Sequence, residues 1–339
     1  MTAVVHPGRT ATSRRPVWWW VRLGATAATL AVLVWRVGTG PFLDGVRTVD
    51  GRALAAAAGI AVLTTICGAW RWRVVARGLG VELALGPAVA AYYRSIFLNV
   101  ALPGGVLGDL HRGISHGRRT RDVGRGLRAV AWERSAGQVV QVVLTVAVLL
   151  VAVSPVRAAM PFVAAALLVA AVGVVPAMRW RAGGRSRWAR LRRAAARDLH
   201  DGLLARRAWA AIVLLSALVV AGHAITFLIA ARTAGATAPA SRMVPLALLV
   251  LLAAALPNVG GWGPREGVAA WAFAAAGLGA SRGVATAVVY GVMVFAASLP
   301  GAVVLVAAWA RGTRSPPELA WPLRRGGGVV APQDGVQDV

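Results

Sequence analysis

Apolar runs of membrane-crossing length recur along this chain, and clusters of arginine separate them. A helix needs about 20 apolar residues to cross the hydrocarbon core of a bilayer. Runs of that order cover Val17 to Val34, Ala53 to Trp70, Ala136 to Val153, Met160 to Met178, Ala208 to Ala231 and Val284 to Ala310. In hydrocarbon every backbone N–H and C=O must be satisfied within the protein, so such runs fold as helices. The expected fold class is an all-α polytopic membrane protein with six full spans. Charged residues make up only 14% of the chain, against about 25% in aqueous domains.

The formal net charge is +25, and the basic residues are all Arg. In a soluble chain that balance would point to nucleic acid. Here the Arg residues sit between apolar runs, which is the positive-inside pattern. Attraction to anionic headgroups is the second reading, and no nucleic-acid partner is expected. Cys67, the single cysteine, lies within an apolar run and reads as a packing residue; neither a disulfide within the chain nor a metal-spaced His/Cys set is available.

Two apolar stretches are interrupted. The second, Met243 to Ala280, contains Ala255-Leu256-Pro257-Asn258-Val259-Gly260-Gly261-Trp262-Gly263-Pro264-Arg265-Glu266-Gly267. A Gly/Pro break at membrane depth is tolerated only where protein or a water-filled cavity covers it. The first, Leu85 to Leu110, holds Ala101-Leu102-Pro103, Gly104, Gly105, Gly108 and Asp109, with Arg112 and Gly113 just beyond it; the spacing from Pro103 to Gly113 equals that from Pro257 to Gly267.

Loop charge orients these pieces. Residues 1–16 are polar and expected to be a disordered cytoplasmic N-terminus; Trp18-Trp19-Trp20 fits an interfacial belt. The run after it is too long for a signal-peptide core and reads as an anchor. The 35–52 link is nearly balanced and placed outside; Arg71, Arg73 and Arg77 then lie inside. Residues 111–134 are Arg-rich, and residues 179–207 carry ten Arg against Asp198 and Asp201, so both are cytoplasmic loops. Both flanks of 85–110 are therefore inside, and both flanks of 243–280 outside. Each stretch is expected to be a re-entrant broken-helix hairpin, entering from opposite faces. The chain then reads as two inverted repeats, about 17–154 and 158–310, followed by a disordered cytoplasmic tail at 311–339. Inverted repeats with broken helices at the midplane are a transporter architecture. The expected location is the cell membrane, multi-pass, with both termini cytoplasmic.

Ionisable residues within such breaks are functional candidates. Arg265-Glu266 follows the glycine-rich turn and opens a half-helix; Arg can fork a phosphate and Glu266 balance it, or the two can be a structural ion pair. Asn99, Asp109 and Arg112 form the matching set, with Asp109 and Arg112 three apart on one helix face. Glu133-Arg134 opens the third span, as a helix-start anchor or as part of a site. Arg94 follows Tyr92-Tyr93 in the first hairpin as a candidate substrate contact. His223, alone in a span, reads as a packing residue. His111 and His116 lack carboxylates at ligand spacing. The expectation is phosphate contact from Arg94, Arg112 and Arg265, with counter-charge from Asp109, Glu133 and Glu266.

An enzyme is the alternative: a membrane-embedded glycosyl- or phosphoryl-transferase acting on a lipid carrier. No Ser-Gly-His phosphatase segment occurs, and Asp198-Leu199-His200-Asp201 has the wrong spacing for an Asp-x-Asp metal site. With twelve acidic residues in all, acid–base chemistry has few candidates.

Over residues 17–310 the chain resembles the membrane domain of the lysylphosphatidylglycerol synthase/flippase family. The likeness rests on Asn99-x-x-Leu102-Pro103 with Gly108-Asp109-x-x-Arg112, on Glu133-Arg134-x-x-Gly137, and on Pro257 with Gly260-Gly261-Trp262-Gly263-x-Arg265-Glu266-Gly267. Glu133 stands where the family often has Asp, and Pro264 where it often has an aliphatic residue. The resemblance implies a lipid translocase that moves a phospholipid or lipid-linked headgroup between leaflets. It implies no cofactor, and membrane lipids with anionic or phosphate-bearing headgroups as partners. About 30 residues follow the last span, too few for the family's soluble synthase domain, so lipid modification is expected from a separate enzyme.

Overall fold

The computed structural model describes residues 47–102, 105–152, 196–199, 206–255 and 263–312. Among them are eight principal helices: α1 (Gly51–Gly78), α2 (Leu85–Ala101), α3 (Leu107–Arg119), α4 (Val123–Val151), α5 (Arg206–Thr233), α6 (Ala240–Ala254), α7 (Pro264–Ala275) and α8 (Ala280–Gly312). Four of them, α1, α4, α5 and α8, are long and apolar enough to cross a membrane. The other four stand in two pairs, α2/α3 and α6/α7, at the two predicted breaks. The first and fourth predicted spans, the Trp18–Trp20 triplet, Pro103 and Gly104, the 256–262 part of the second break and the tail from 313 lie outside the described residues.

The order span, broken pair, span occurs twice. The four helices of the first half start at residues 51, 85, 107 and 123, those of the second at 206, 240, 264 and 280, an offset of 155 to 157 residues. The packing repeats with the order. α1 packs on α8 as α5 packs on α4; α2 packs on α8 as α6 packs on α4; α3 covers α4 as α7 covers α8. The corresponding helices α1 and α5 make the most extensive contact of all. A pair of halves related by a two-fold operation gives this exchange, because each half then completes the other's bundle.

Helices α5 and α8 run two to four residues beyond the expected spans, and two boundaries differ by more. The second span was expected to end at Trp70, but α1 continues to Gly78. The third was expected to begin near Ala136 with Glu133-Arg134 at its start, but α4 begins at Val123 and carries that pair three turns inside. In both places charged residues mark not the end of a helix but a buried cluster that neutralises them. The true starts carry caps: Asp50 accepts from the Ala53 N–H at 2.7 Å and Asp122 from the Arg125 N–H at 2.8 Å.

Apolar side chains face outward on the long helices: Leu63 on α1 is 65% exposed, Val139 on α4 62%, Leu214 on α5 60% and Val303 on α8 68%. Trp70, Trp209 and Trp309, also exposed, sit toward helix ends. Such an exterior is unstable in water over so large an area and suits lipid, with Trp at its interfaces. The polar groups are inside.

Candidate functional site

The centre of the first half is Glu133, which is fully buried. Its Oε1 accepts from Arg71 Nε at 2.9 Å and Nη2 at 2.6 Å, and from the Tyr92 hydroxyl at 3.2 Å; its Oε2 accepts from Arg112 Nη2 at 2.9 Å. Arg71 comes from α1, Tyr92 from α2, Arg112 from α3 and Glu133 from α4, so one carboxylate ties four helices. Arg71 also donates through Nη1 to Ser216 on α5 at 3.0 Å, which brings in the second half. Gly137, one turn beyond Glu133, makes room: a Cβ there would collide with the Arg71 guanidinium.

Asp109 is the second carboxylate. Its Oδ1 accepts from Ser95 Oγ at 2.9 Å and from Arg112 Nη2 at 2.8 Å, its Oδ2 from Asn99 Nδ2 at 2.8 Å, and Arg134 Nη1 pairs with it as well. Asn99 returns to α3 by accepting from the Gly108 N–H at 2.8 Å. Gly108 has to be Gly, since a Cβ would run into the Ser95 carbonyl where α3 starts against α2. Arg134 further donates to the Gly105 carbonyl at 3.3 Å, inside the break itself.

Arg112 is held differently from its neighbours. Its guanidinium carbon lies 4.6 Å from the Trp72 ring centroid and 4.4 Å from that of Tyr92. Buried and sandwiched by aromatic faces, it gains cation–π energy and two carboxylates. The bonded cluster thus joins Arg71, Arg112 and Arg134 to Asp109 and Glu133: three cations to two anions.

Beside this cluster lies a cavity of about 280 Å³. Arg71, Tyr92, Asn99, Asp109 and Arg134 form its charged end; Gln138, Gln141, Ser216, His223 and Thr226 carry polar lining toward the other half, and Met293 and Ala297 of α8 help close it. The volume falls just below the range of ligand pockets, roughly 300–1,000 Å³, and suits a headgroup rather than a whole lipid.

The second break carries its own pair. Glu266 at the start of α7 accepts from Arg265 Nε at 2.9 Å and from the Gly263 N–H at 2.7 Å, so it closes the helix start as well as the ion pair. The Arg265 guanidinium lies 5.5 Å from the Tyr290 ring centroid and rests on Gly291. Tyr290 in turn bonds His223 Nδ1 at 3.0 Å. His223 is therefore both a satisfied packing residue and a wall of the cavity.

Of the residues singled out from the sequence, Asn99, Asp109, Arg112, Glu133 and Arg134 come together. Arg265 and Glu266 form a separate pair joined to the cavity through Tyr290 and His223. Arg94 is half-buried on α2 and does not line the cavity; Tyr92 and Tyr93 beside it do. Arg112 lies behind the cavity wall. The sequence reading missed Arg71, Ser95, Gln138, Gln141 and Ser216. A signal was present for two of them: Arg134, Gln138 and Gln141 stand at i, i+4 and i+7, one polar stripe on an otherwise apolar helix.

The comparison with known families turns on how much of the chain is shared. Residues 19–301 match the model of the lysylphosphatidylglycerol synthase TM region. The chain belongs to this family. No curated protein matches it. As a member of the lysylphosphatidylglycerol synthase TM family, it is a multi-pass membrane protein whose general function is the movement of lipid across the bilayer. Every residue of the cavity lies within the matched region, as does the whole described bundle except the end of α8 beyond residue 301.

Proposed function

We propose that the protein is a transporter rather than an enzyme, and that the cavity between its halves receives a phosphate-bearing lipid headgroup while the acyl chains stay in the bilayer. The observation that carries this reading is a cavity with a charged end and polar side chains along an otherwise apolar lining, set among helices whose outer faces are apolar. Polar and charged groups are costly at membrane depth and are kept where they serve a pathway. Arg134 is the residue assigned to phosphate contact. Its side chain is 38% exposed, it faces the cavity, and its fork has donors beyond the one that reaches Asp109. Asp109 and Glu133 hold the guanidinium groups in place, and Arg265–Glu266 pins the second break.

The two broken pairs act as re-entrant hairpins, one from each face, within six spans arranged as inverted repeats. Both termini are cytoplasmic in this reading, in the cell membrane. Trp209 and Trp309 support it: the start of α5 and the end of α8 are both assigned to the cytoplasmic face, and each bears one exposed Trp.

Leaflet exchange of tail-labelled phospholipids in liposomes tests the assignment. Wild-type protein is expected to move lipid, and Arg134→Gln to slow that movement at least tenfold with unchanged yield and thermal midpoint. Equal rates in the two proteins would remove Arg134 from the pathway.

A further inference from the structure

Charge and hydrogen-bonding capacity in the cavity point beyond transport in general to the class of lipid moved. We propose that the cavity selects lipids whose headgroup is a phosphodiester bearing neutral hydroxyl groups, and discriminates against aminoacylated headgroups that carry a cation. This rests on the translocase reading above.

Charge is the first ground. The bonded cluster at the charged end has three guanidinium groups and two carboxylates, one cation in surplus. A phosphodiester supplies the single negative charge that balances it. A lysyl ester on the same phosphate adds two ammonium groups, so the loaded cavity would gain positive charge. An ammonium would also need a carboxylate of its own. Asp109 and Glu133 are the carboxylates at this site among the described residues, and each already accepts from three or four protein donors. Outside the described residues the chain has only Asp44, Asp201 and the three acids of the tail from Glu318 onward.

The neutral end of the cavity is the second ground. Gln138 and Gln141 line it, and among the described residues neither side-chain amide has a hydrogen-bond partner. Both residues are half-buried, and each amide offers one acceptor and two donors toward the cavity. The hydroxyls of Thr64, Ser216, Thr226 and Ser298 donate to backbone carbonyls of their own helices, at 3.1, 2.6, 3.0 and 2.7 Å. The oxygens of Thr64, Thr226 and Ser298 keep lone pairs as acceptors toward the cavity, whereas that of Ser216 already accepts from Arg71. Amides and acceptor hydroxyls beside a guanidinium match a phosphate followed by a diol or polyol.

The test uses full-length protein in liposomes with tail-labelled lipids that differ only in headgroup: phosphatidylglycerol, phosphatidylmethanol, phosphatidylcholine and lysylphosphatidylglycerol. Wild type is expected to move phosphatidylglycerol at least tenfold faster than lysylphosphatidylglycerol, and severalfold faster than phosphatidylmethanol, which has the charge but no hydroxyl. The isosteric Gln138→Glu and Gln141→Glu variants add a carboxylate and are expected to narrow or invert the preference against the lysyl lipid. Equal or faster movement of the lysyl lipid by wild type would overturn the selectivity while leaving transport standing. Movement of none of the four lipids would overturn both. Variants that fold to wild-type thermal midpoints and keep wild-type preference would overturn the assignment to these glutamines.

Discussion

Glu133 is accommodated in a fully buried position because three side chains from other helices converge on it with four hydrogen bonds. Removing one member of such a set leaves the rest uncompensated. Glu133→Gln keeps the volume and removes the charge, so Arg71 and Arg112 would face each other without a shared anion. The expected loss is roughly 3–5 kcal/mol, the usual range for breaking a buried ion pair. Thermal or denaturant unfolding in detergent measures it; a loss below about 1 kcal/mol would show that the cluster does not hold the helices together. The sequence made Glu133 and Arg134 visible as a pair but not what each one bonds. Neighbours on a helix point about 100° apart, and here Glu133 turns to Arg71 and Arg112 while Arg134 turns to Asp109. Arg265 and Glu266, also neighbours, do pair, because Glu266 sits in the first turn and folds back over the helix start.

At the scale of elements, the Gly/Pro interruptions were legible because glycine and proline break a helix wherever they stand, and α2/α3 and α6/α7 divide at those places. The extents of α1 and α4 were not legible. Both are 28 or 29 residues long, and Arg71, Glu133 and Arg134 look like the edge of a span until their partners are known. The re-entrant assignment makes a labelling prediction. In a Cys67→Ser background, Glu82→Cys before α2 and Arg121→Cys after α3 are expected to react with a membrane-impermeant maleimide from one face only. Thr237→Cys before α6 and Ser281→Cys at the start of α8 are expected to react only from the other. Opposite accessibility for Glu82→Cys and Arg121→Cys would make the α2/α3 pair a full crossing.

Across the whole molecule, the two halves exchange packing partners, and the cavity takes its walls from both: α1, α2, α3 and α4 of the first, α5 and α8 of the second. The repeated order of long helix, broken pair and long helix was readable from the two breaks. The cavity was not, since Gln138 is far in sequence from Ser216 and His223 and meets them only when α4 and α5 pack. Positions two apart on α1 separate inside from outside: Ala61 lines the cavity, whereas Leu63 is 65% exposed on the apolar surface. Leaflet exchange by Ala61→Trp and Leu63→Trp, matched for yield and thermal midpoint, is therefore the most direct measurement. If the headgroup crosses through the cavity, Ala61→Trp stops exchange and Leu63→Trp runs at the wild-type rate. Wild-type exchange by Ala61→Trp would mean that lipid takes another route.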